Sequence, residues 1–419
     1  MSRLVDIAKI NMGQSPPSST YNEVGIGLPF YQGKADFGYI NPVPKKYCSA
    51  PSKIAERGDI LISVRAPVGP VNITTENCCI GRGLAAIKAK SFIQDFIYFS
   101  LIFQEDYIAS LGTGSTFKAI NKSQLENIQI PDFTLNEQLK VAYILNTLQK
   151  NIEHQNRLII NSIEFKKAFI HRLLTEGTKG EKQKETEIGL LPESWTVKEL
   201  IEVVEFIDYG VSQAIPKTAP DKGVKIVSTA DINRDGELLY NQIRTIEVPP
   251  RTIDKLRLKD GDLLFNWRNS AELIGKSSIF HEQSEPHIFA SFILRINCGE
   301  RKSHNYFLKY LMNQYREEGV FLKLSRRAVN QANYNRNEIS VLPIPVPPIN
   351  EQVEIANLIS TVENKINYHK TKKLLLNELF KTLLNELMTG KRRVHEIDFQ
   401  NIRTENEMAE QSFNIAAEI

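Results

Sequence analysis

The sequence predicts an α+β protein: two globular domains, each followed by a long helix, repeated with pseudo-two-fold symmetry. Three observations carry this expectation. The string "IPDFTLNEQLKVAYIL" at residues 130–145 returns as "IPVPPINEQVEIANLI" at residues 344–359, so one helix start is written twice. Residues 134–176 and 349–389, which follow the two starts, contain neither proline nor glycine. Each helix is preceded by a stretch in which short apolar runs alternate with turn signals such as "NRDGE" and "GTGST".

The repeat holds without gaps at an offset of 214. Asn121 meets Asn335, Ile130-Pro131 meets Ile344-Pro345, and Asn136-Glu137-Gln138 meets Asn350-Glu351-Gln352. Further on, Glu164 meets Glu378 and Thr175 meets Thr389. So long a register means that one structural element is used twice. Thr134 and Glu137 have the spacing of a capping box. Pro131 and the prolines at 343–348 keep the segments before each helix extended. Apolar residues at heptad a and d positions, from Val141 to Leu173 and from Ile355 to Leu387, argue for two antiparallel coiled-coil spacer helices. At 1.5 Å per residue each helix is about 60 Å long, the length of a ruler. Both seams turn polar midway, at Gln155, Ser162 and Lys166 and at His369 and Lys373, and these residues are expected to meet and fix the register.

The globular stretches also resemble each other. "ERGDILISVRAP" at residues 56–67 parallels "KDGDLLFNWRNS" at residues 259–270, and in both Gly-Asp opens an apolar strand that ends near an arginine. The charged, turn-rich segment at 177–189 reads as a linker. The expected organisation is a domain at 1–133, a spacer helix at 134–176, the linker at 177–189, a second domain at 190–347, a spacer helix at 348–390 and an acidic tail at 391–419.

With 419 residues, 42% of them hydrophobic, the chain can build several cores. The formal net charge of +3 conceals an acidic C-terminus, where residues 396–419 hold six acidic side chains and only Arg403 as a base. The remainder is basic enough to meet nucleic acid. No apolar run is long enough for a membrane span and no signal-peptide core opens the chain. Cys48, Cys78, Cys79 and Cys298 form no CxxC pair and no zinc spacing, which predicts reduced thiols in the cytoplasm and no metal. Catalytic motifs are missing. "ELIGKSS" at 272–278 contains Gly-Lys-Ser but has Ser270 where a phosphate loop needs its first glycine. "IGRGLAAIKA" at 80–89 has no third glycine at dinucleotide spacing. No cofactor is therefore expected.

The two domains instead place polar and basic side chains in glycine-rich turns beside aromatics. The candidates in the first are Gln14, Ser15, Tyr31, Gln32, Lys34, Arg65, Arg82, Thr113, Ser115, Thr116 and Lys118. Those in the second are Arg268, Arg326, Arg327, Asn330 and Asn333. Arginine and lysine suit guanine and phosphate, amides suit adenine, and hydroxyls suit phosphate, so these residues are expected to contact double-stranded DNA.

The strings "NMGQSPPSSTYN", "GDILISVRAPVGPVNI", "IGRGLAAIKA", "GTGSTFKAINKSQLENIQIP" followed by "NEQ", and "LLPESW" resemble the specificity subunit of type I restriction-modification enzymes. The resemblance covers almost the whole chain. It implies that each globular domain is a target recognition domain reading one half of a split DNA sequence. It further implies that the helices space the domains and dock two methyltransferase subunits, with nuclease-translocase subunits joining them. S-adenosylmethionine and ATP would then belong to partners, and this chain would catalyse nothing. "LLPESW" has no counterpart before the first domain, so the chain is expected to start late in that repeat. Two other classes fit the same organisation: a methyltransferase or nuclease with unrecognised motifs, and a coiled-coil scaffold whose heads bind something other than DNA.

Overall fold

The computed structural model describes residues 1–113, 118–216, 218, 220, 222–299, 303–324, 326–328 and 331–394, with side chains outside 324–332. The described residues form two compact units, residues 1–159 with those from 369 onward, and residues 160–368.

In the first unit an antiparallel sheet has the spatial order Ala8–Met12, Leu84–Ala89, Ile60–Ser63, Val71–Ile73. A second sheet is built around the parallel pair Leu28–Tyr31 and Cys78–Ile80. In the second unit the antiparallel sheet runs Phe206–Tyr209, Ile293–Asn297, Leu263–Asn266, Ser277–Ile279. Its parallel pair is Val224–Val227 with His287–Phe289. The four-stranded sheet has the same strand order in both units and each has one parallel pair beside it, although the second sheet has five strands in the first unit and three in the second, so the repeat extends into the domains where residue identities are few. The strands are short and buried on both faces, as in Ile60–Ser63 and Leu263–Asn266, which explains their continuous apolar character.

The residues shared by the two copies hold equivalent joints. Gly58 and Gly261 have φ of 88° and 84°, a region open to glycine at little cost. The next residue closes the turn: the Asp59 carboxylate accepts the Glu56 amide at 2.9 Å, and Asp262 accepts the Lys259 amide at 2.9 Å. Asn121 and Asn335 each cap a short helix, Lys122–Glu126 and Arg336–Ser340, through a capping box.

The glutamine of Asn-Glu-Gln fastens each long helix to its domain. Gln138 accepts the Ile93 amide at 2.9 Å and donates to the Phe133 carbonyl at 2.8 Å. Gln352 accepts the His304 amide at 2.9 Å and the Ser303 hydroxyl at 2.8 Å, and donates to the Pro347 carbonyl at 2.9 Å. Both side chains are buried. Gln352→Ala orphans buried donors and an acceptor, each costing roughly 1–3 kcal/mol. Chemical denaturation is expected to show that loss in the second unit, and an unchanged midpoint would refute the role.

The long helices are Leu135–Glu176 and Ile349–Met388. The capping box forms as its spacing suggests, with Thr134 N–H donating to Glu137 at 3.0 Å and Glu137 N–H to Thr134 Oγ1 at 3.3 Å. Within the first unit the helical segments run in opposite directions. Arg393 reaches Glu137 at 3.0 Å, Lys373 donates to Asn156 at 2.6 Å, and His369 Nδ1 lies 2.7 Å from Gln155 Oε1. Within the second unit Lys166 meets Glu363 at 2.8 Å and Thr178 N–H meets Glu351 at 3.0 Å, with the same opposite sense. The expected meeting of mid-seam polar residues is thus seen for Gln155 with His369. Lys166 instead pairs with Glu363, a residue beside the apolar seam.

The linker differs from a plain turn-rich segment. Gln183–Thr186 pairs with Gly189–Pro192 in a hairpin whose turn is tied by Thr186 Oγ1 donating to the Gly189 carbonyl at 2.6 Å. Its far end is anchored by Leu191 and Trp195, both in the core of the second unit. The acidic segment from 395 onward lies outside the described residues.

Candidate nucleic-acid interface

Where the two sheets of each domain meet, one set of main-chain hydrogen bonds is used twice. In the first domain Gln14 N–H donates to Ile80 O (3.0 Å), Gly81 N–H to Tyr31 O (2.8 Å), Leu84 N–H to Gly81 O (3.0 Å) and Val64 N–H to Gly83 O (2.9 Å). In the second, Val211 donates to Phe289 (2.8 Å), Ala290 to Val227 (2.9 Å), Ile293 to Ala290 (3.0 Å) and Trp267 to Phe292 (3.3 Å). Gly13 and Gly210 permit the approach: an added Cβ would lie 2.2 Å from Gly81 O or 2.1 Å from Phe289 O. These bonds place Gln14-Ser15 opposite Val211-Ser212, Gln32 opposite Ser228, Arg82 opposite Ser291 and Arg65 opposite Arg268.

The first domain therefore gathers Gln14, Ser15, Gln32, Lys34, Arg65 and Arg82 around one junction. Gln14, Gln32, Lys34, Arg65 and Arg82 are exposed there. The Arg82 amide donates to Ser15 Oγ at 3.2 Å. Gly83 has no room for a side chain, since a Cβ would lie 2.2 Å from Gln32 O. Asp36 holds the Gln32 and Gly33 amides at 2.7 and 3.3 Å, which sets the turn that carries Lys34.

A strand pairing joins the basic loop to this junction. Arg65 and Thr113 both bridge Ala119, beside exposed Lys118. In the second domain Arg268 and Arg326 both pair with Asn333, in the three-stranded order Arg268–Asn269, Gln331–Asn333, Arg326–Ala328. Ala119 and Asn333 are 214 residues apart, the offset of the helix repeat. The candidates Arg65, Thr113 and Lys118 thus come together, as do Arg268, Arg326, Arg327 and Asn333 through their backbone. Ser115, Thr116 and Asn330 lie outside the described residues.

Tyr31 does not belong at this surface. It is 1% exposed, packed in the cluster with Ala55, Leu61, Cys78 and Ile80, and burial pushes its phenol well above the usual range. It lies on a strand covered on both faces, so its side chain faces the core and Gln32 next to it faces out.

The second domain carries a concavity of about 580 Å³ at the equivalent place, lined by Ser212, Gln213, Ser228, Arg244, Arg268 and Phe292 among others. The Arg268 guanidinium stands 4.9 Å over the Phe292 ring. Behind the site, buried Lys276 donates to the carbonyls of Thr229 (2.8 Å) and Ile232, and burial lowers its ammonium pKa. The lysine of "GKSS" is thus a strut for the Ser228 turn. Sequence reasoning missed Ser212, Gln213, Ser228 and Arg244. The signal for Ser212 was there, in the Gly-x-Ser that stands at both 13–15 and 210–212. Among the described residues no cluster of His, Cys, Asp and Glu could hold a metal, and no helix is long and apolar enough to cross a membrane.

Two domains that share a four-stranded sheet order, a parallel pair and a polar, basic junction describe a duplicated binding protein. The family profile of the type I restriction modification DNA specificity domain matches residues 1–164 and 192–378, and the chain belongs to that family. It is 47% identical over 169 residues, 40% of each chain, to the MjaX specificity subunit of Methanocaldococcus jannaschii. It is 28% identical over 328 residues, 75% of each chain, to the MjaVIII specificity subunit of the same organism. Among solved structures, the type I S subunit of M. genitalium shares the fold at a TM-score of 0.62 with 14% identity, covering 92% of this chain and 95% of that one.

Proposed function

We propose that this chain selects DNA sequence for a type I restriction-modification complex by binding a bipartite site, one half to each domain. The observation that carries this reading is the junction repeated at one topological position with different side chains: Gln14, Gln32 and Arg82 in one domain, Val211, Ser228 and Ser291 in the other. An equivalent frame with different edges suits two surfaces that read different base pairs. The long helices then act as an antiparallel coiled-coil spacer that sets the distance between half-sites, and linked reading raises affinity when that distance fits.

Along the helices Leu139, Phe165, Leu374 and Leu375 are each more than half exposed. Apolar side chains of this size on solvated helices suit a protein partner, here two methyltransferase subunits, with nuclease-translocase subunits in the full complex. Methyl transfer and DNA cleavage, with S-adenosylmethionine and ATP, belong to those partners in the cytoplasm, and this chain performs no catalysis.

A genome-wide map of methylated adenines tests the reading, in cells that carry the chain with its methyltransferase partner and in cells without the chain. The expected map has one split motif, two defined blocks around an undefined gap of fixed length, and loses it without the chain. A map unaffected by the chain, together with no binding of random-sequence duplex by the purified chain at low salt, would overturn it.

A further inference from the structure

Four positions where each domain meets its helices correspond between the units. The Ile93 and His304 amides, bound to Gln138 and Gln352, align Tyr98 and Phe99 with Lys309 and Tyr310. The offset of 214 aligns Gln149 with Glu363 and Lys166 with Phe380. The first unit fills these positions with neutral groups. Gln149 Nε2 donates to Tyr98 Oη at 3.0 Å, and Phe99 stands edge-on to Phe380 at 6.1 Å between centroids. The second unit fills the same positions with charge. The Glu363 carboxylate accepts from Lys166 at 2.8 Å, Tyr310 Oη at 2.7 Å and Lys309 at 3.4 Å.

The difference matters because the two kinds of joint resist rotation differently. Burial of the two rings is driven mainly by the hydrophobic effect, which is non-directional, with only a weaker preference for the edge-on arrangement. Charge-assisted hydrogen bonds are short and directional. Glu363 lies on the second long helix, Tyr310 and Lys309 on the domain helix Asn305–Glu317, and Lys166 on the first long helix. One carboxylate therefore ties three elements of the second unit together. Lys309 is 9% exposed, so its ammonium has little water to fall back on. The two lysines in turn hold Glu363 ionised: its pKa is lowered although burial alone would raise it.

We infer that Glu363 is a positioning residue that sets the orientation of the second recognition domain on its helices, and through it the number of base pairs between the two half-sites. This rests on the bipartite reading above. A domain that swivels on its helix still presents the same reading surface, so half-site sequences should survive while the gap between them loosens.

The test is the adenine-methylation map for the full chain with its methyltransferase partner, comparing wild type, Glu363→Gln and Tyr310→Phe. Glutamine is the residue the first unit uses at this position, and Tyr310→Phe installs the first unit's Phe99, so both changes have a folded precedent in the same chain. Thermal melts check that the second unit stays folded. The expected result is the same two blocks in every map, with methylation at gaps one base pair longer or shorter raised about tenfold in the variants. Lysine at 166 replaced by methionine should act in the same direction. A wild-type map without a split motif would sink the bipartite reading itself. A wild-type split motif with variant gaps equally strict would overturn the role of Glu363, as would loss of all methylation in both variants despite normal melts.

Discussion

Trp195→Ala is expected to unfold much of the second unit's base while sparing the first. Trp195 is fully buried in the cluster that also holds Leu173, Leu191, Ile355 and Ile359. Emptying so large a site costs roughly 3–5 kcal/mol. The indole is also polar support: its N–H donates to Glu351 Oε2 at 3.3 Å. Glu351 is itself 2% exposed and is further held by the Thr178 amide at 3.0 Å and the Lys179 ammonium at 3.2 Å. Removing one partner of a buried carboxylate adds the cost of an ill-satisfied charge. For a unit of this size each kcal/mol moves the melting temperature by about 2–4 °C, so a drop of roughly 6–20 °C follows. Hydrogen–deuterium exchange should localise the damage, with protection lost in the strands Leu263–Asn266 and Ile293–Asn297 and retained in Ile60–Ser63 and Leu84–Ala89. Equal loss in both units would mean that Trp195 does not act locally. Trp195→Phe keeps most of the volume and should fall well short of the alanine effect.

The same contact explains why Asn-Glu-Gln is repeated but not used identically. The glutamine makes equivalent bonds in both units, whereas the glutamate does not. Glu137 serves the capping box and Arg393, at the edge of the first unit. Glu351 serves the linker and the tryptophan of "LLPESW". A motif copied in sequence can thus have one residue under the same constraint and its neighbour recruited to a different one.

What could be read in the sequence was what local chemistry writes. The helix start at Thr134 was legible because a capping box occupies four consecutive residues. The Gly-Asp turns were legible because the glycine conformation and the carboxylate that closes the turn are adjacent. The polar centre of the seams was legible in position, yet the partner of Lys166 was not, because Glu363 lies off the apolar stripe that defines a heptad. The candidate interface was harder. Gln14, Gln32, Arg65 and Arg82 come from four segments joined only by cross-strand hydrogen bonds, and no spacing rule links them. Their counterparts in the second domain were harder still. Insertions shift the offset from 197 at Gly13 and Gly210 to 203 at Asp59 and Asp262 and 214 at the helices, so Ser212 and Arg244 fall out of register with any single alignment. Tyr31 was misplaced for the complementary reason. In a strand buried on both faces, alternation does not mark the side that reaches solvent, and an aromatic beside a glycine-rich turn looks like a stacking residue when it is core.

The frame of main-chain bonds makes one further comparison decisive, because Arg65 and Arg268 are the arginines that both domains keep at the junction. Arg65→Ala and Arg268→Ala should each weaken the contact made by one domain and leave the block read by the other intact. An arginine that forks onto a guanine edge is worth about 1–3 kcal/mol, or roughly tenfold to a hundredfold in affinity, and its loss relaxes the sequence at a single position. An arginine that only touches phosphate weakens binding to all sequences alike and lowers the salt slope by about 1. Affinity measured across a salt series on duplexes carrying the mapped motif, and on duplexes with either block scrambled, separates the two. The Arg268 guanidinium stacks over the Phe292 ring, and a planar guanidinium suits forked recognition of a base edge, so Arg268→Ala is expected to relax the sequence in the second block. Arg65, exposed and with no such platform among the described residues, is the better candidate for phosphate, so Arg65→Ala should weaken binding and flatten the salt slope while the first block stays readable. Wild-type affinity and an unaltered motif in both variants would remove the junction from the interface and leave the basic loop ahead of each long helix to carry recognition alone.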